Sequence, residues 1–327
     1  MTDLSIIVPT RDRAEHVTEL VRRLAALADE AAFELLVVDG STDHRTEAAL
    51  AAAPGRAAGS IVYVRKPGLP SPAARNVALA AATAETCLFL NDDCWPLPGL
   101  LARHARHHRD RPEPTAAMIG RTIPFWPYEP TPFERWLETS GYRHRYDAIT
   151  DTEDAGWRHF LTFNASVKTA LLCGVGGLDE RFVMGFEDNE LGLRLERAGM
   201  RLHYDELAVV EHFHPASLSS TLRQYRRYGH GRRRLGEVRR DDPCPRRPGP
   251  RHRLAAAALL APYALGLRGW IRDATWRFLC IEAFREGWWD ERPPAGGGVR
   301  VGGRLAALAS RDPAAAEPAV RGPTPWR

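Results

Sequence analysis

The chain has 327 residues, of which 44% are hydrophobic and 26% are charged, and its formal net charge at pH 7 is +4. These proportions are ordinary for a soluble globular protein. A net charge this small gives no argument for nucleic-acid binding, and no run of about 18 apolar residues predicts a membrane-spanning helix. The length allows one large α/β domain with additional segments, or two smaller domains.

The N-terminus and the cysteines both favour a reducing compartment. The sequence MTDLSIIVPTRDR enters a strand-like run without a basic leader or an apolar segment long enough for a secretion signal, so we expect a cytoplasmic protein. The five cysteines show no CxxC spacing, which fits free thiols better than disulfides or a zinc site. They are Cys87, Cys94, Cys173, Cys244 and Cys280.

Strand-like and helix-like segments alternate along the first part of the chain. Strands are predicted at 4–10, 33–40, 60–64 and 86–90, and helices at 17–27, 46–53 and 71–84. This alternation with short connections predicts right-handed crossovers and a mainly parallel central sheet with helices on both faces. Ligands bind such sheets at the carboxyl ends of the strands. Segments 10–13, 39–43 and 91–93 each follow a strand, so we expect them to meet at one edge.

The second half of the chain is less regular. A segment rich in proline and aromatic residues begins at Pro124 and predicts an insertion outside the sheet. The composition PCPRRPGP indicates a spacer, and the final residues, rich in proline, glycine and alanine, are expected to be poorly ordered. The predicted elements are a strand at 161–167, a short helix at 168–173, a helix at 187–198 closed by Gly199, a strand at 201–215, and helices after Ser217 and over 254–289.

Acidic residues occur at the end of two of these strands and at the start of one helix. The second strand ends in VVDGSTD, the fourth ends in LNDDCWP, and a helix opens with FEDNELGLRL. Together with IIVPT in the first strand, these motifs resemble the inverting glycosyltransferases of the GT-A fold, family 2, over residues 3–230. The resemblance implies a Rossmann-like GT-A domain at 1–230, with a nucleotide-sugar half (1–123), an acceptor loop (124–160) and a catalytic half (161–230), then a helical extension (231–291) and a tail (292–327).

The acid pair Asp92 and Asp93 has two interpretations. Acids at strand ends commonly form polar turns or cap the next helix. The resemblance instead implies that Asp93 coordinates a divalent metal and that Asp92 contacts the donor ribose or sugar. Hard oxygen ligands suit Mg²⁺ or Mn²⁺, and such a cation balances the charge that grows on a leaving diphosphate. Asn91 stands where many relatives have another Asp, which lowers the local charge.

Further donor-binding residues follow from the same resemblance. Asp39 is expected to hydrogen-bond the nucleobase, although the family often has two acids there and an Asp at a strand end also makes an Asx-turn. Arg75, in the segment PAARN, is expected to reach the diphosphate or the base, with a surface ion pair as the alternative. Pro9, Thr10 and Arg11 are placed near the nucleoside.

Asp188 is the candidate general base. Inversion at an anomeric carbon needs one group that takes a proton from the acceptor on the face opposite the leaving group. The family assigns this role to the second acid of an ED motif, here Asp188, with Glu187 beside it. Leu191, Leu195 and Ala198 are expected to form the buried stripe of the helix, which lets Asp188 face a cleft. An acid that merely favours the helix N-terminus is the alternative.

Two histidines follow the last strand-like segment, in VVEHFHP. Some GT-A enzymes supply a late histidine as a third metal ligand, and we expect only one of His212 and His214 to do so, with His212 favoured. Trp126, Trp136 and Trp157 either stack on sugar rings or pack the insertion, and packing is expected for any single one.

The leading hypothesis is a metal-dependent inverting hexosyltransferase, whose donor would most commonly be a UDP-hexose in this family. The acceptor stays open between a saccharide, a small natural product, and a Ser or Cys side chain of a peptide. A peripheral-membrane enzyme acting on a lipid-linked saccharide is one alternative, and a non-catalytic nucleotide-sugar-binding module is another. A nucleotidyltransferase would need a phosphate loop with glycine and lysine after the first strand, and IVPTRDRAE has none.

Arginines are concentrated between Arg223 and Arg253. This cluster would attract phosphate, acidic lipid or an anionic substrate, or else form a solvated face. Together with the aromatic helices after Leu254 it suggests contact with a membrane surface. Nucleic acid is not expected as a partner, because the cluster lacks a recognition-helix pattern and interleaved aromatic residues. A homodimer is kept as one candidate assembly.

Overall fold

The computed structural model describes residues 2–53, 60–141, 145–183, 185–238, 258, 272–289, 312, 314 and 316. The strands in these residues are β1 (Leu4–Thr10), β2 (Phe33–Asp39), β3 (Ser60–Arg65), β4 (Thr86–Leu90), β5 (Cys94–Pro96), β6 (Ala116–Pro124), β7 (Asn164–Lys168) and β8 (Arg201–His212). The helices are α1 (Ala14–Ala25), α2 (Arg45–Ala52), α3 (Ser71–Ala81), α4 (Leu100–Asp110), α5 (Pro132–Thr139), α6 (Thr169–Gly174), α7 (Glu187–Arg197), α8 (Leu218–Val238) and α9 (Arg272–Trp289).

The strands of the described residues join one sheet, in the order β3-β2-β1-β4-β7-β6-β8-β5. β1 pairs in parallel with β2 and β4, and β2 pairs in parallel with β3. β7 runs antiparallel to β4 and β6, and β5 runs antiparallel to β8, so the other half of the sheet is mixed. The predicted α/β architecture with a central sheet is confirmed, and the strictly parallel part of the sheet is β3-β2-β1-β4.

Both faces of the sheet are buried because its central strands are almost entirely apolar. Successive side chains of a strand point to opposite faces. Ile6 therefore packs in one core cluster with Leu20 of α1, while the neighbouring Ile7 packs in a second cluster with Ala74 of α3 and Leu191 of α7. A sheet clamped in this way is a rigid support for the loops at its carboxyl edge.

Helix α5 lies in the segment that the sequence predicts as an insertion outside the sheet, where no helix is predicted. The helix begins with a capping box, in which Thr131 Oγ1 accepts from the Glu134 amide and the Glu134 carboxylate accepts from the Thr131 amide. The signature T-P-F-E is visible in the sequence. α5 shares an apolar cluster with α8 and α9 that contains Phe133, Leu222 and Trp276.

Three other elements, β5, α4 and β6, are missing from the periodicity-based prediction. The buried face of α4 includes His104, His107 and His108 in addition to Leu100 and Leu101, so the apolar spacing of a helix is weak there.

A smaller error in the prediction concerns α7. Its buried residues include Leu191 and Leu195 as predicted, but the helix ends at Arg197 and Ala198 is exposed.

Helices α8 and α9 agree with the helices predicted after Ser217 and up to residue 289. The predicted spacer at 243–250, most of the segment from 254 to 271, and nearly all of the tail lie outside the described residues. The domain boundaries therefore stay predictions. In the part of the chain that the structure describes, no helix is both long enough and apolar enough to cross a bilayer.

Candidate active site

A cavity of about 810 Å³ opens beside the carboxyl end of β4, between α7 and α8. Residues from distant parts of the chain line it, including most of the charged groups that the sequence singles out. The lining residues that the sequence singles out are Arg75, Asn91, Asp93, Glu187, Asp188, His212 and His214, and Arg13 lines the cavity as well. The predicted metal ligands and the predicted base thus face one space.

Asp93, His212 and His214 form a compact cluster in which one ligand atom of each residue lies within 4.8 Å of the other two. Strand pairing creates it, because β5 follows Asp93 directly and pairs with β8, which sets Cys94 opposite His212. The Phe213 amide also donates to the Asp93 carbonyl at 2.9 Å. The expectation that only one histidine reaches the site is wrong, since residues two apart on an extended chain share a face.

Arg13 is one of the residues of this site that the sequence prediction misses. It precedes α1, and its Nη1 donates to Asp93 Oδ2 at 2.7 Å and to Asp92 Oδ1 at 3.1 Å. Asp92 Oδ2 accepts from Thr10 Oγ1 at 2.7 Å, so one cation and one hydroxyl hold the acid pair in place. The signal in the sequence is the second arginine of PTRDR, which follows the strand within a few residues of its end.

The two acids of this pair are electrostatically different. Burial and the neighbouring Asp93 together raise the pKa of Asp92 to about 6. Burial also opposes ionisation of Asp93, but His212 and Arg13 outweigh it and hold the pKa of Asp93 well below its ordinary value. Asp93 is therefore the carboxylate that is ionised throughout the neutral range.

The donor set around Asp93 fits a divalent cation. It offers one ionised carboxylate oxygen and imidazole nitrogens from two histidines, and all three residues line the cavity. Carboxylate oxygens suit Mg²⁺ and Mn²⁺, whereas imidazole nitrogens are typical ligands of transition metals and not of Mg²⁺. His212 Nε2 lies 3.6 Å from Asp93 Oδ1, a spacing that leaves the two groups facing one another.

Arg75 connects the acid turn to the first turn of α7. Its side chain is buried, and its Nη2 donates to Asn91 Oδ1 at 2.8 Å while its Nη1 donates to Ser71 Oγ at 2.7 Å. Nη1 also lies 3.9 Å from Glu187 Oε1. The surface ion pair considered for Arg75 is excluded by this burial. Because the Asn91 side chain is uncharged, it does not neutralise Arg75, whose guanidinium also lies near Glu187.

Asp188 lies in the first turn of α7 and lines the cavity. Its Oδ1 accepts a hydrogen bond from Thr162 Oγ1 at 2.6 Å, a contact that orients the carboxylate. Burial raises the pKa of Asp188, although Arg75 and Thr162 work against that increase. Burial and the charge of Asp188 raise the pKa of Glu187 to about 7.

Asp39 and the residues at the end of β1 are not among the residues that line this cavity. Asp39 pairs with Thr10 across the parallel strands, and its buried carboxylate accepts from the Ser41 amide at 2.8 Å and from the Tyr63 hydroxyl at 2.8 Å. Its Oδ1 therefore organises the loop after β2, as in an Asx-turn. Neither Asp92 nor Asp39, Pro9, Thr10 or Arg11 is among the residues that line the cavity, and their donor contacts stay predictions.

Two of the three candidate tryptophans are buried. Trp136 and Trp157 lie in apolar clusters, which agrees with packing, and Trp157 also lines the cavity.

In α8, Arg223, Arg227 and Arg234 are exposed, and Arg232 lines the cavity beside Phe186. The arginines from position 239 to 253 lie outside the described residues.

Comparison with known proteins gives a family match over about half of the chain. The model of glycosyl transferase family 2 matches residues 5–167. A pre-mycofactocin glycosyltransferase of Mycobacterium tuberculosis (strain CDC 1551 / Oshkosh) is 29% identical over 239 residues, which cover 69% of this chain and 46% of that protein. The uncharacterized glycosyltransferase YfnE of Bacillus subtilis (strain 168) is 24% identical over 262 residues, 66% of each chain. This chain spans about half the length of the first curated relatives it matches.

Solved structures share the fold. The mannosyltransferase PcManGT from Pyrobaculum calidifontis, in complex with GDP-Man and Mn²⁺, has a TM-score of 0.63 at 21% identity, over 89% of this chain and 88% of that one. Residues 1–349 of S. aureus TarS give a TM-score of 0.51 at 16% identity, over 88% and 90%. Asp188, His212 and His214 lie beyond the residues that the family model matches.

Proposed function

Since this chain belongs to glycosyl transferase family 2 and has the GT-A fold, we propose that it transfers a sugar from a nucleoside-diphosphate-sugar to an acceptor, with inversion at the anomeric carbon. The observation that carries this proposal is the shared cavity, which holds the Asp93–His212–His214 cluster together with Asp188. A metal-binding cluster next to a carboxylate of raised pKa suits a reaction that needs both a stabilised leaving group and a base.

The first part of the proposal concerns the metal. Asp93, His212 and His214 would hold a divalent cation, which supplies compensation for the negative charge that develops on the departing diphosphate. We propose Mn²⁺ rather than Mg²⁺, because two of the three ligands are imidazoles. Arg13 stays within reach of the same region and adds a fixed positive charge.

The second part concerns the base. The acceptor hydroxyl or thiol attacks the anomeric carbon, its proton passes to the Asp188 carboxylate, and the bond from that carbon to the diphosphate breaks, with the electron pair leaving on the nucleotide. A single displacement of this kind inverts the anomeric configuration. Thr162 orients Asp188 through its hydrogen bond, and burial raises the pKa of Asp188 so that it binds a proton more readily.

The acceptor would enter between α8 and the segment from Arg145 to Phe163. On the α8 side the cavity is lined by Thr221, Gln224, Tyr225, Tyr228 and Arg232, which recur at helical spacing. Such polar and aromatic groups suit a hydroxyl-rich or ring-containing acceptor. We keep a saccharide, a natural product and a peptide side chain as candidates. Pre-mycofactocin belongs among the compounds to be tested, because the Mycobacterium relative is named for it.

The proposal is tested with a panel of UDP-, GDP- and dTDP-sugars, each with Mn²⁺, with Mg²⁺ and with EDTA. We expect one donor to stabilise the protein by about 2.7 kcal/mol at about 100 times its dissociation constant. The same donor should be hydrolysed slowly, with water as acceptor, and faster with Mn²⁺ than with Mg²⁺. Absence of both stabilisation and hydrolysis across the whole panel would show that the chain is not a nucleotide-sugar enzyme.

The pH dependence tests the base. Asp188 must be ionised to accept a proton, so kcat/KM should fall as the pH is lowered through its pKa. Since burial raises that pKa, we expect the acid limb of donor hydrolysis to lie above the ordinary Asp value of about 3.9. The Glu187→Gln variant is the control. A limb that persists in this variant belongs to Asp188, whereas its disappearance would assign it to Glu187, whose pKa is about 7.

A further inference from the structure

The turn that leads into Asp188 has an unusual backbone. Gly185 has φ of 103° and Phe186 has φ of 67°, so both are in the left-handed region immediately before α7 begins. A side chain larger than glycine is strained in that conformation and keeps it only when surrounding contacts enforce it. The direction in which Glu187 and Asp188 leave this turn therefore depends on what packs against it.

Helix α8 supplies these contacts along one face. A Cβ at Gly231 would lie 2.2 Å from the Gly185 carbonyl oxygen, so only glycine permits the observed approach. The Tyr228 ring occupies the space in which a Cβ of Gly185 would lie, at 2.7 Å, and it meets the Phe186 ring edge-on at 5.9 Å. The Arg232 guanidinium lies 5.7 Å from the centre of the Phe186 ring.

The opposite face of α8 is held just as closely by α9. Residues two apart on a helix point about 200° apart, so Gly229 faces away from the catalytic turn. A Cβ at Gly229 would lie 2.1 Å from the Phe284 carbonyl oxygen, and one at Gly287 would lie 1.8 Å from the Arg226 carbonyl oxygen. Backbone therefore packs directly on backbone, and α8 has no room to move away from the turn.

We infer that α8, backed by α9, positions the general base, and that Gly231 is a positioning residue that acts through the turn at Gly185 and Phe186. This inference rests on the proposed role of Asp188. The two helices belong to the region that the sequence assigns to the end of the GT-A domain and its extension, and the inference gives that region a part in catalysis. The alternative is that the glycines serve only to pack two helices.

The test compares Gly231→Ala with Gly236→Ala. Both substitutions raise the helix propensity of α8 equally. A Cβ at Gly236 would meet only the Trp288 ring, at an ordinary 3.6 Å, so the second variant is the matched control. In Gly231→Ala the added methyl group must push the Gly185 backbone away. A displacement of about 1 Å at a reacting group typically costs about 100-fold in rate.

Two measurements follow. Hydrogen exchange by mass spectrometry should be faster over residues 185–190 in Gly231→Ala than in the wild type or in Gly236→Ala. Donor hydrolysis should fall about 100-fold in kcat, with unchanged affinity for UDP and Mn²⁺ by calorimetry, because the metal cluster belongs to other elements. Gly236→Ala should match the wild type in both. If Gly231→Ala does not fold, Tyr228→Leu, which removes the ring from Gly185, should show the same pattern.

Unchanged exchange over 185–190 in Gly231→Ala overturns the inference, and so does a loss of UDP and Mn²⁺ affinity equal to the loss of kcat. The exchange measurement needs no turnover. If the wild-type protein hydrolyses no nucleotide-sugar, that result contradicts the proposed function alone. If Gly231→Ala hydrolyses the donor slowly but shows wild-type exchange over residues 185–190, that result contradicts only the positioning role.

Discussion

Replacing Asp188 with asparagine is expected to lower the rate of donor hydrolysis and of transfer by between about 100-fold and 10,000-fold, the range of a general base. The variant keeps an oxygen that can accept the hydrogen bond from Thr162, so the side chain should keep its place. What it loses is the ability to take a proton. The loss should therefore appear in kcat, while the affinities for UDP and Mn²⁺ stay at their wild-type values.

The stability of Asp188→Asn shows whether a lower rate of hydrolysis is caused by loss of the base or by unfolding. Burial raises the pKa of Asp188 in the folded protein, so the folded state binds more protons than the unfolded state between the two pKa values. The free energy of unfolding therefore falls as the pH rises through that window. Asparagine carries no charge, so the variant should be at least as stable as the wild type at neutral pH. Thermal unfolding measures this, and wild-type hydrolysis rates in the variant would exclude Asp188 as the base.

Replacing Asp93 with asparagine is expected to weaken Mn²⁺ binding by at least about 100-fold. Loss of an outer-shell partner of a metal ligand already costs 10- to 100-fold in affinity, and Asp93 is the carboxylate of the proposed ligand set. His212 and His214 would remain without their charged partner. Titration calorimetry of Mn²⁺, alone and with UDP, measures the loss, and donor-dependent thermal stabilisation should disappear with it.

Asp92→Asn is the matched control for that experiment. Asp92 is adjacent to Asp93 and shares the contact with Arg13, yet it is not a member of the metal-binding cluster and does not line the cavity. We expect its Mn²⁺ affinity to stay within about threefold of the wild type, a smaller loss than the roughly 10- to 100-fold that follows when a hydrogen-bonding partner of a metal ligand is removed. Equal losses in the two variants would show that both carboxylates bind the metal, and an Asp93→Asn variant with normal affinity would remove Asp93 from the ligand set.

The elements from β1 to β4 are predicted well because local sequence is sufficient there. β1, β2 and β4 are buried on both faces, so each is a short apolar run bounded by polar residues. The segment from Asn91 to Cys94 also agrees with the interpretation of the acid pair as part of a polar turn, because the Cys94 amide donates to the Asn91 carbonyl at 3.1 Å and closes a turn. A turn and a metal-binding position are therefore compatible at Asp93, and the metal role, which the resemblance to a family implies, stays a prediction.

Long-range pairing decided the rest of the site. Nothing in the segment VVEHFHP shows that β8 will pair with β5 and bring both histidines to Asp93, across more than a hundred residues. Arg13 and Thr162 are similar cases. Each is an unremarkable polar residue in a loop, and only the folded chain shows that one binds the acid pair and the other orients Asp188. The location in the cytoplasm and a homodimer stay predictions.

By itself the sequence determined the order of strands and helices from β1 to β4, the edge of the sheet at which polar residues collect, and the candidate acids Asp93 and Asp188. The elements and the edge follow from periodicity, which is a local property of a chain, while the choice of the two acids follows from the resemblance of short motifs to a family. The tertiary structure alone decided which charges meet in one cavity, that Asn91 accepts from Arg75, and that α8 presses on the turn before Asp188. The physical reason is that distances between groups remote in sequence are set by packing, and packing depends on every element at once.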